Sequence, residues 1–301
     1  MAKKSARPAS LGKRTTPARK KTAKKVAKKT AKKRAKKVAL TAKTADKHAL
    51  YEASVQDTSV DIAFIDRVYK KARGKKPLSL REDFCGTAVL CADWVQSHPE
   101  RTATGLDLHA PTMAWGRKHH LDPLPATVQE RVTLLQRDVV AGMKAPVDAA
   151  VAFNFSYCCF TTRAQMLAYM RTARRDLKDD GLFFLDIHGG TEVYEEMEES
   201  TRHKGFTYVW DQRPYDAIRG LATRHIHFVF PDGSQIRPAF SYAWRLWSLP
   251  ELSDILLEAG FSRVDVYWEG SDGQGAGNGK FRLREHADNE LSWIAYIVAH
   301  A

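Results

Sequence analysis

The stretch that most constrains the fold of this chain runs from Pro77 to Asp107 and reads PLSLREDFCGTAVLCADWVQSHPERTATGLD. Its pattern predicts a strand over 78–84, a tight turn over 85–88, a helix over 88–96 and a second strand over 102–106. His98-Pro99 ends the helix because a residue before proline avoids the helical conformation. This strand–helix–strand order indicates a βαβ unit, and hence an α/β fold with a mostly parallel sheet.

The first turn and the second strand tip of this unit together indicate a nucleoside ligand. Gly86, Thr87 and Ala88 are small residues, which let a ligand approach the turn backbone and the free N–H groups of the following helix. Asp107 lies 21 positions after Gly86, where doubly wound folds bind ribose hydroxyls through an acid. Gly86 alone fits an ordinary strand–turn–helix equally well, so the prediction depends on the acid.

The excess of positive over negative charge is confined to the N-terminal segment of the chain. Residues 1–47 contain 19 of the 48 Lys and Arg but one of the 35 acids, which leaves 29 basic and 34 acidic residues elsewhere. Like charges at this density repel each other, so 1–47 is predicted to be a disordered tail before a folded domain at 48–301. Its composition resembles the lysine/alanine-rich tails of linker histones, and binding to a polyanion, DNA or RNA, is favoured over a merely solubilising role.

Cysteine usage and hydropathy predict a cytoplasmic protein. The four cysteines, at 85, 91, 158 and 159, form no CxxC motif or paired framework, which fits a reducing compartment. No apolar run is long enough to span a membrane, so no membrane partner is predicted. The basic tail leaves association with the nucleoid open.

Polar residues follow several further predicted strands. Strands over 131–136, 148–154 and 182–187 end near Asp138, Asn154 and His188. The carboxyl ends of parallel strands form the edge at which α/β proteins bind ligands. For Asp138 a turn or helix cap fits the sequence as well as a ligand contact does.

The chain before and after these strands has a different character. Residues 48–76 are predicted to form a helical lead-in that either covers the ligand site or serves only in packing. From 206 to 247 the apolar period changes to two, which predicts an antiparallel β insertion, at about 190–247, over the carboxyl edge. His225 and His227 share a strand face there but lack a third ligand at fixed spacing, so no metal site is predicted.

The C-terminal part closes the sheet. A helix is predicted over 249–260, a strand over 261–268, a glycine-rich loop over 270–280 and a final strand over 291–298. Strands joined without a helix between them are antiparallel neighbours. The sheet is therefore predicted to end in a reversed hairpin.

With an acid after the second strand, another after the third and a closing hairpin, residues 77–298 resemble class I S-adenosylmethionine-dependent methyltransferases. Segments such as TATGLDLHAPTMAWGRKHH and VTLLQRDVV are similar to successive parts of that family's pattern. The resemblance implies a Rossmann-like, seven-stranded, mostly parallel sheet with a reversed last strand. It also implies S-adenosyl-L-methionine as the cofactor.

The resemblance also assigns cofactor contacts by position. It places Glu82 at the methionine amino end of the cofactor and Cys85, Gly86 and Ala88 in the glycine-rich turn. Asp107 corresponds to the acid that binds the ribose, and Leu108 to the residue that faces the adenine. Asp138 and Val139 correspond to the pair that contacts the adenine, and Asn154 lies where the fourth strand meets cofactor and substrate. Phe84 and Ala88 stand where the family has glycines, which leaves the path of the turn and the choice between Glu82 and Asp83 open.

Methyl transfer mainly requires alignment of the acceptor, and a base only where the acceptor must lose a proton. His188 is the first candidate for that base and Tyr157 the second, although an incidental loop histidine fits as well. Substrate contacts from the insertion are predicted at Trp210, Tyr215, Arg224 and Arg245, and an arginine pair would suit a carboxylate. The acceptor itself is not identified, and a small molecule is favoured over a macromolecule.

Two other functions remain open. A nicotinamide-dependent oxidoreductase shares the first βαβ unit, but Phe84 in place of a glycine disfavours close approach of a pyrophosphate. A nucleic-acid-binding, nucleoid-type protein with a non-catalytic core would depend on the basic tail rather than on Asp107.

Overall fold

The computed structural model describes residues 40–143, 145–272 and 277–301. The predicted linker-histone-like tail and its polyanion binding fall mainly on residues 1–39, which lie outside the described residues. The α-helices are α1 Lys47–Val55, α2 Thr58–Arg73, α3 Val89–Gln96, α4 Ala110–Gly116, α5 Ala126–Gln129, α6 Arg163–Arg175 and α7 Leu249–Glu258. The strands are β1 Ser79–Asp83, β2 Thr102–Asp107, β3 Val132–Gln136, β4 Val147–Ala152, β5 Leu177–Gly189, β6 Met197–His203, β7 Phe206–Asp216, β8 Leu221–Val229, β9 Gln235–Arg245, β10 Arg263–Ser271, β11 Gly277–Leu283 and β12 Trp293–His300.

A central sheet has the strand order β11-β10-β12-β5-β4-β1-β2-β3. The strands from β1 to β5 are mutually parallel, whereas β12 runs antiparallel to both β5 and β10. The predicted α/β class, the βαβ unit and the reversed hairpin are therefore confirmed. Because β1, β2, β4 and β5 lie side by side, their carboxyl ends form one continuous edge.

The predicted number of seven strands is wrong, because the central sheet has eight. The additional strand, β11, covers most of the second half of the segment predicted to be a glycine-rich loop. It pairs antiparallel with β10, for example Glu269 with Phe281, and Phe281 is its one buried residue. A strand anchored by one apolar side chain has no alternating pattern that a sequence could display.

A second, antiparallel sheet has the order β6-β7-β8-β9. It corresponds to the predicted insertion, but its first strand was not predicted. The sequence of β6, MEESTRH, is mostly exposed, so it shows no apolar alternation, and its place is fixed by pairing with β7 from Met197 to His203. Edge strands of this kind are defined by their neighbour rather than by their own composition.

The described fold begins before the predicted domain boundary at residue 48. Leu40 and Ala42 pack against a cluster in the second sheet that includes Phe206. The Ala42 N–H donates to the Ser234 hydroxyl, and the Asp46 side chain caps α1 by accepting from two backbone N–H groups. None of the helices in the described part of the chain is long and apolar enough to cross a membrane.

A fully buried guanidinium lies under the central sheet. Arg81 of β1 donates to Asp83 at 2.7 Å, to Asp176 at 2.7 Å and to the Val139 carbonyl at 2.9 Å. Asp83 also accepts from the Tyr169 hydroxyl of α6. The network ties β1 to α6 and to the loop after β3, so it fixes the elements that follow both strands.

Replacing Arg81 by methionine is expected to destabilise the protein by about 3–5 kcal/mol, because two buried carboxylates lose their common partner. Urea unfolding monitored by tryptophan fluorescence measures this. The matched control is Arg219→Met, since the pair that Arg219 forms with Asp216 is on the surface and contributes about 1 kcal/mol or less. Similar free energies of unfolding for both variants would contradict the assigned role.

Candidate functional site

The turn after β1 has the backbone path that glycines usually provide. Phe84 and Ala88 both have φ of 56°, in the left-handed region, and Gly86 between them has φ of 53°. The Gly86 N–H donates to the Asp107 carboxylate at 2.8 Å, which joins the turn to the tip of β2. Non-glycine residues in this region carry a strain of about 1–2 kcal/mol that the surrounding structure must offset. The turn therefore has the backbone path of a glycine-rich turn, although Phe84 and Ala88 stand in place of two glycines.

Helix α1 lies over this turn. The Glu52 carboxylate accepts from the Thr87 hydroxyl at 2.6 Å and pairs with His120 at 2.7 Å. The Trp115 indole donates to Asp46, the residue that caps α1. Of the two roles considered for the helical lead-in, the structure shows the covering one for α1.

The two acids predicted to contact ribose and adenine lie at the ends of adjacent strands. Asp107 ends β2, which pairs in parallel with β3, and Asp138 follows β3 by two residues. Leu108 is 65% exposed, an unusual state for a leucine at a strand tip. The Asp138 carboxylate accepts from the Val140 N–H, so its turn-cap role is present as well.

Three acids with raised pKa values converge beside the turn. Burial, together with the nearby charges of Asp61 and Asp107, raises the pKa of Glu82 to about 8. Burial likewise raises the pKa of Asp186 to about 7 and that of Asp61 to about 6. No lysine or arginine in the described ranges pairs with Glu82, Asp61 or Asp186. The group is therefore a set of buried carboxyl groups that hold their protons to unusually high pH and have no cationic partner in the described ranges.

The two neighbouring acids of β1 have different surroundings. Asp83 is held in the Arg81 network below the sheet. Glu82, the residue between Arg81 and Asp83, points to the other side, where it accepts from the Cys91 N–H in the first turn of α3. Only Glu82 belongs to the acidic group at the edge.

Asp186 shapes the turn that follows β4. Its carboxylate accepts from the Asn154 N–H at 2.7 Å and from the Phe155 N–H at 2.9 Å. Both residues have positive φ, 57° and 56°. Charge-assisted hydrogen bonds to consecutive N–H groups hold this strained turn, and with it Asn154, at the carboxyl edge.

Three cavities meet at His188, at the end of β5. The aromatic cavity, of about 200 Å³, lies between the edge and the second sheet and is lined by Tyr51, Val55, Asn154, Phe155, His188, Tyr208, Trp210, Ile226, Tyr242, Trp244, Ser292 and Ile294. The acidic cavity, of about 710 Å³, is lined by His188, Gly189, Glu192, Val193, Met197, Glu199, Trp210, Gln212, Glu269, Gly270, Ser271, Gly277, Glu290, Ser292, Trp293 and Ile294. A third cavity of about 640 Å³ extends toward Trp247 and Trp268.

His188 is an uncharged imidazole at this junction. Burial lowers its pKa to about 4, and the charge of Arg224 lowers it further. Its Nε2 is shielded from solvent and has no hydrogen-bond partner among the described residues. Its ring packs against Phe155, with 4.3 Å between the ring centroids. A neutral ring nitrogen without a partner is free to accept a proton.

Tyr157, the second predicted base, is placed differently. Its side chain is fully buried, and its hydroxyl donates to the Asp186 carbonyl at 2.6 Å. Burial raises its pKa well above the usual value. The hydroxyl thus serves to fix the end of β5.

The four predicted substrate contacts are not brought together. Trp210 lines both the aromatic and the acidic cavity. Arg224 is fully buried and donates to the Val193 carbonyl at 2.6 Å, whereas Arg245 pairs with Glu251 and lies over the Trp247 ring. Tyr215 packs against Tyr194 with the two rings tilted and 4.8 Å between their centroids. The two arginines therefore form no joint carboxylate site.

Several residues of this site were not found from the sequence. Asp61 and Glu52 come from the helical lead-in, and Asp186 lies inside a run of apolar residues. A charged residue in such a run, FFLDI, was a usable signal, because an acid in a buried strand needs a specific partner. The residues of the lead-in carried no comparable signal.

No protein-family model matches the sequence, and no curated protein matches it. Solved structures do match. A S-adenosylmethionine-dependent methyltransferase from Clostridium acetobutylicum has a TM-score of 0.59 at 13% identity, over 84% of this chain and 98% of that one. CalS10, an amino pentose methyltransferase from Micromonospora echinaspora with S-adenosylmethionine bound, has a TM-score of 0.58 at 17% identity, over 84% and 96%. DesVI from Streptomyces venezuelae has a TM-score of 0.59 at 16% identity, over 84% and 95%.

At these identities the likeness shows the fold. It confirms the Rossmann-like architecture that the sequence resemblance implied, over most of the described chain. The roles of individual residues depend on the geometry given above and remain predictions.

Glu82→Gln is expected to stabilise the protein progressively as the pH rises from about 5 to about 8. The folded-state pKa of Glu82 is about 8 against an ordinary value of 4.5, so in this window the folded state keeps a proton that the unfolded chain releases. The contribution of Glu82 to stability therefore falls as the pH rises, whereas glutamine does not titrate. The difference in Tm between variant and wild type, measured across this range, checks the prediction. Exposed Glu100→Gln is the control, and a pH-independent difference for Glu82→Gln would contradict the assignment.

Proposed function

We propose that this protein is an S-adenosylmethionine-dependent methyltransferase that acts on a small-molecule acceptor. The observation that carries the proposal is the acidic group of Asp61, Glu82 and Asp186, which has no cationic partner in the described ranges and lies beside the turn that bonds to Asp107. The methyltransferase fold of the matched structures supports it. CalS10 acts on an amino pentose, which supports a small molecule as the acceptor.

The chemistry of the edge fits this cofactor. S-adenosylmethionine has a sulfonium and an α-ammonium, and both positive groups suit carboxyl groups that lack a basic partner. Asp107 would bind the ribose hydroxyls, exposed Leu108 would cover one face of the adenine, and Asp138 with Val139 would border its edge. Glu82, Asn154 and the backbone of Cys85, Gly86 and Ala88 would hold the methionine part.

The same electrostatics disfavour a nicotinamide dinucleotide. Its pyrophosphate would bring negative charge next to Glu82, whose pKa is already raised by burial and by the charges of Asp61 and Asp107. In addition, the phenyl ring of Phe84 occupies a position where the dinucleotide fingerprint has glycine. The oxidoreductase alternative is therefore the weaker one.

His188 is the proposed base. When bound, the cofactor supplies a methyl group on a positively charged sulfur. The protein has to align the acceptor and receive its proton. The neutral imidazole lies where all three cavities meet, next to Asn154 in the lining of the aromatic cavity, and its Nε2 has no other partner in the described ranges.

Calorimetry with S-adenosylmethionine tests the proposal. We expect one binding site, with an affinity that rises with pH from about 6 to about 8, because a cation lowers the pKa of Glu82 and Asp186 and releases their protons. The observed enthalpy should accordingly change with the ionisation enthalpy of the buffer.

Asp107→Ala is expected to weaken cofactor binding by about tenfold or more, since one charge-assisted hydrogen bond contributes about 1.5–3 kcal/mol. Exposed Asp254→Ala on α7 is the control and should bind as the wild type does. Absence of binding by the wild type, or normal binding by Asp107→Ala, would refute the proposed site.

A further inference from the structure

The charged side chains that line the acidic cavity all have the same sign, among the described residues. Its lining includes four glutamates, Glu192, Glu199, Glu269 and Glu290, and no lysine or arginine among the described residues. None of the four forms an ion pair in the described part of the chain. At about 710 Å³ the cavity is large enough for a small organic ligand. A cavity with this lining attracts cations and rejects anions.

The floor of this cavity is a row across three adjacent strands. His188 of β5 pairs with Ile294 of β12, and the register of β12 with β10 places Glu269 next in the row. Residues in one row face the same side of a sheet, and all three line the acidic cavity. Two strand spacings separate the Cα atoms of His188 and Glu269 by about 10 Å. A chain of a few methylene groups is thus long enough to reach from Nε2 of His188, which has no hydrogen-bond partner in the described ranges, to the side chain of Glu269.

The aromatic cavity begins at the same histidine. It shares His188, Trp210, Ser292 and Ile294 with the acidic cavity, and its own lining adds Tyr51, Tyr208, Tyr242 and Trp244. Ring faces attract an alkylammonium group, and a site shielded from water favours the neutral amine over the ammonium. An amine nitrogen at the junction would therefore lie between aromatic rings on one side and glutamates on the other.

We propose that the methyl acceptor is a small linear di- or polyamine, with one amine at His188 and its remaining ammonium groups held by the glutamates of the acidic cavity. This inference rests on the proposed methyltransferase function and adds the class of acceptor to it. The two arginines that would have suited a carboxylate are both bound elsewhere, Arg224 to backbone carbonyls and Arg245 to Glu251.

The transfer balances as an N-methylation. The lone pair of the neutral amine forms the new nitrogen–carbon bond, and the carbon–sulfur bond of the donor breaks with its electron pair going to sulfur. The product leaves as an ammonium ion, and the neutral imidazole of His188 can accept a hydrogen bond from its N–H at Nε2. No oxidant or reductant is required.

The test uses the full-length protein with S-adenosylmethionine and measures release of S-adenosylhomocysteine. Spermidine, 1,4-diaminobutane and n-butylamine are compared as acceptors. We expect both oligoamines to be methylated, with kcat/KM at least about tenfold above that of n-butylamine, which lacks the second charge. Mass spectrometry of the product should show a mass increase of one methyl group on the amine.

Glu269→Gln is expected to raise KM for 1,4-diaminobutane about tenfold, with kcat and cofactor affinity unchanged. Its effect on n-butylamine should be small, so that the discrimination between the two amines falls. Glu196→Gln is the matched control, because Glu196 precedes β6 and does not line the acidic cavity.

The outcomes separate this inference from the proposed function. If the cofactor binds but neither oligoamine is methylated, the acceptor class is wrong and the methyltransferase proposal stands. Methylation of lysines of the chain itself without methylation of the amines would also overturn the inference. If the cofactor does not bind at all, the proposed function fails first.

Discussion

The buried guanidinium of Arg81 determines how the ligand edge is built. It connects Asp83 at the end of β1, Asp176 after α6 and the Val139 carbonyl in the loop after β3, all without contact with water. An ion network of this kind is stable only if every charge keeps its partner. Since β1 side chains alternate, anchoring Arg81 and Asp83 below the sheet directs Glu82 to the opposite face. The structural acid and the proposed cofactor acid are thus neighbours in sequence with opposite surroundings.

Charge is distributed unevenly around the edge. On one side of the sheet the buried acids Asp83 and Asp176 share Arg81, whereas beside the turn Asp61, Glu82 and Asp186 have only hydrogen-bond donors in the described ranges. Such an arrangement costs stability in the free protein, and a cationic ligand removes that cost. The glutamates of the acidic cavity continue the same polarity beyond His188. Both proposed ligands, a sulfonium cofactor and an amine, carry the charge that this edge lacks.

Strained backbone is concentrated at the same place. The non-glycine residues with positive φ in the described ranges are Phe84, Ala88, Asn154 and Phe155, and all four follow β1 or β4. Asp107 and Asp186 hold the two turns through hydrogen bonds from backbone N–H groups. Strain that persists because the surrounding contacts fix it is typical of binding sites. The two turns present their backbone to the space between the central sheet and α1.

The sequence by itself determined the βαβ unit and the positions of Asp107, Asp138 and Asn154, because strand periodicity places these residues at or just after carboxyl ends whatever the rest of the fold does. The tertiary structure alone decided that β6 and β11 are strands, since each is an edge strand with almost no apolar pattern of its own. It alone brought Asp61 and Asp186 to Glu82 and set Arg224 among backbone carbonyls rather than in a substrate site. The physical reason is that periodicity is a local property, whereas charge pairing and edge pairing depend on residues that are far apart in the chain.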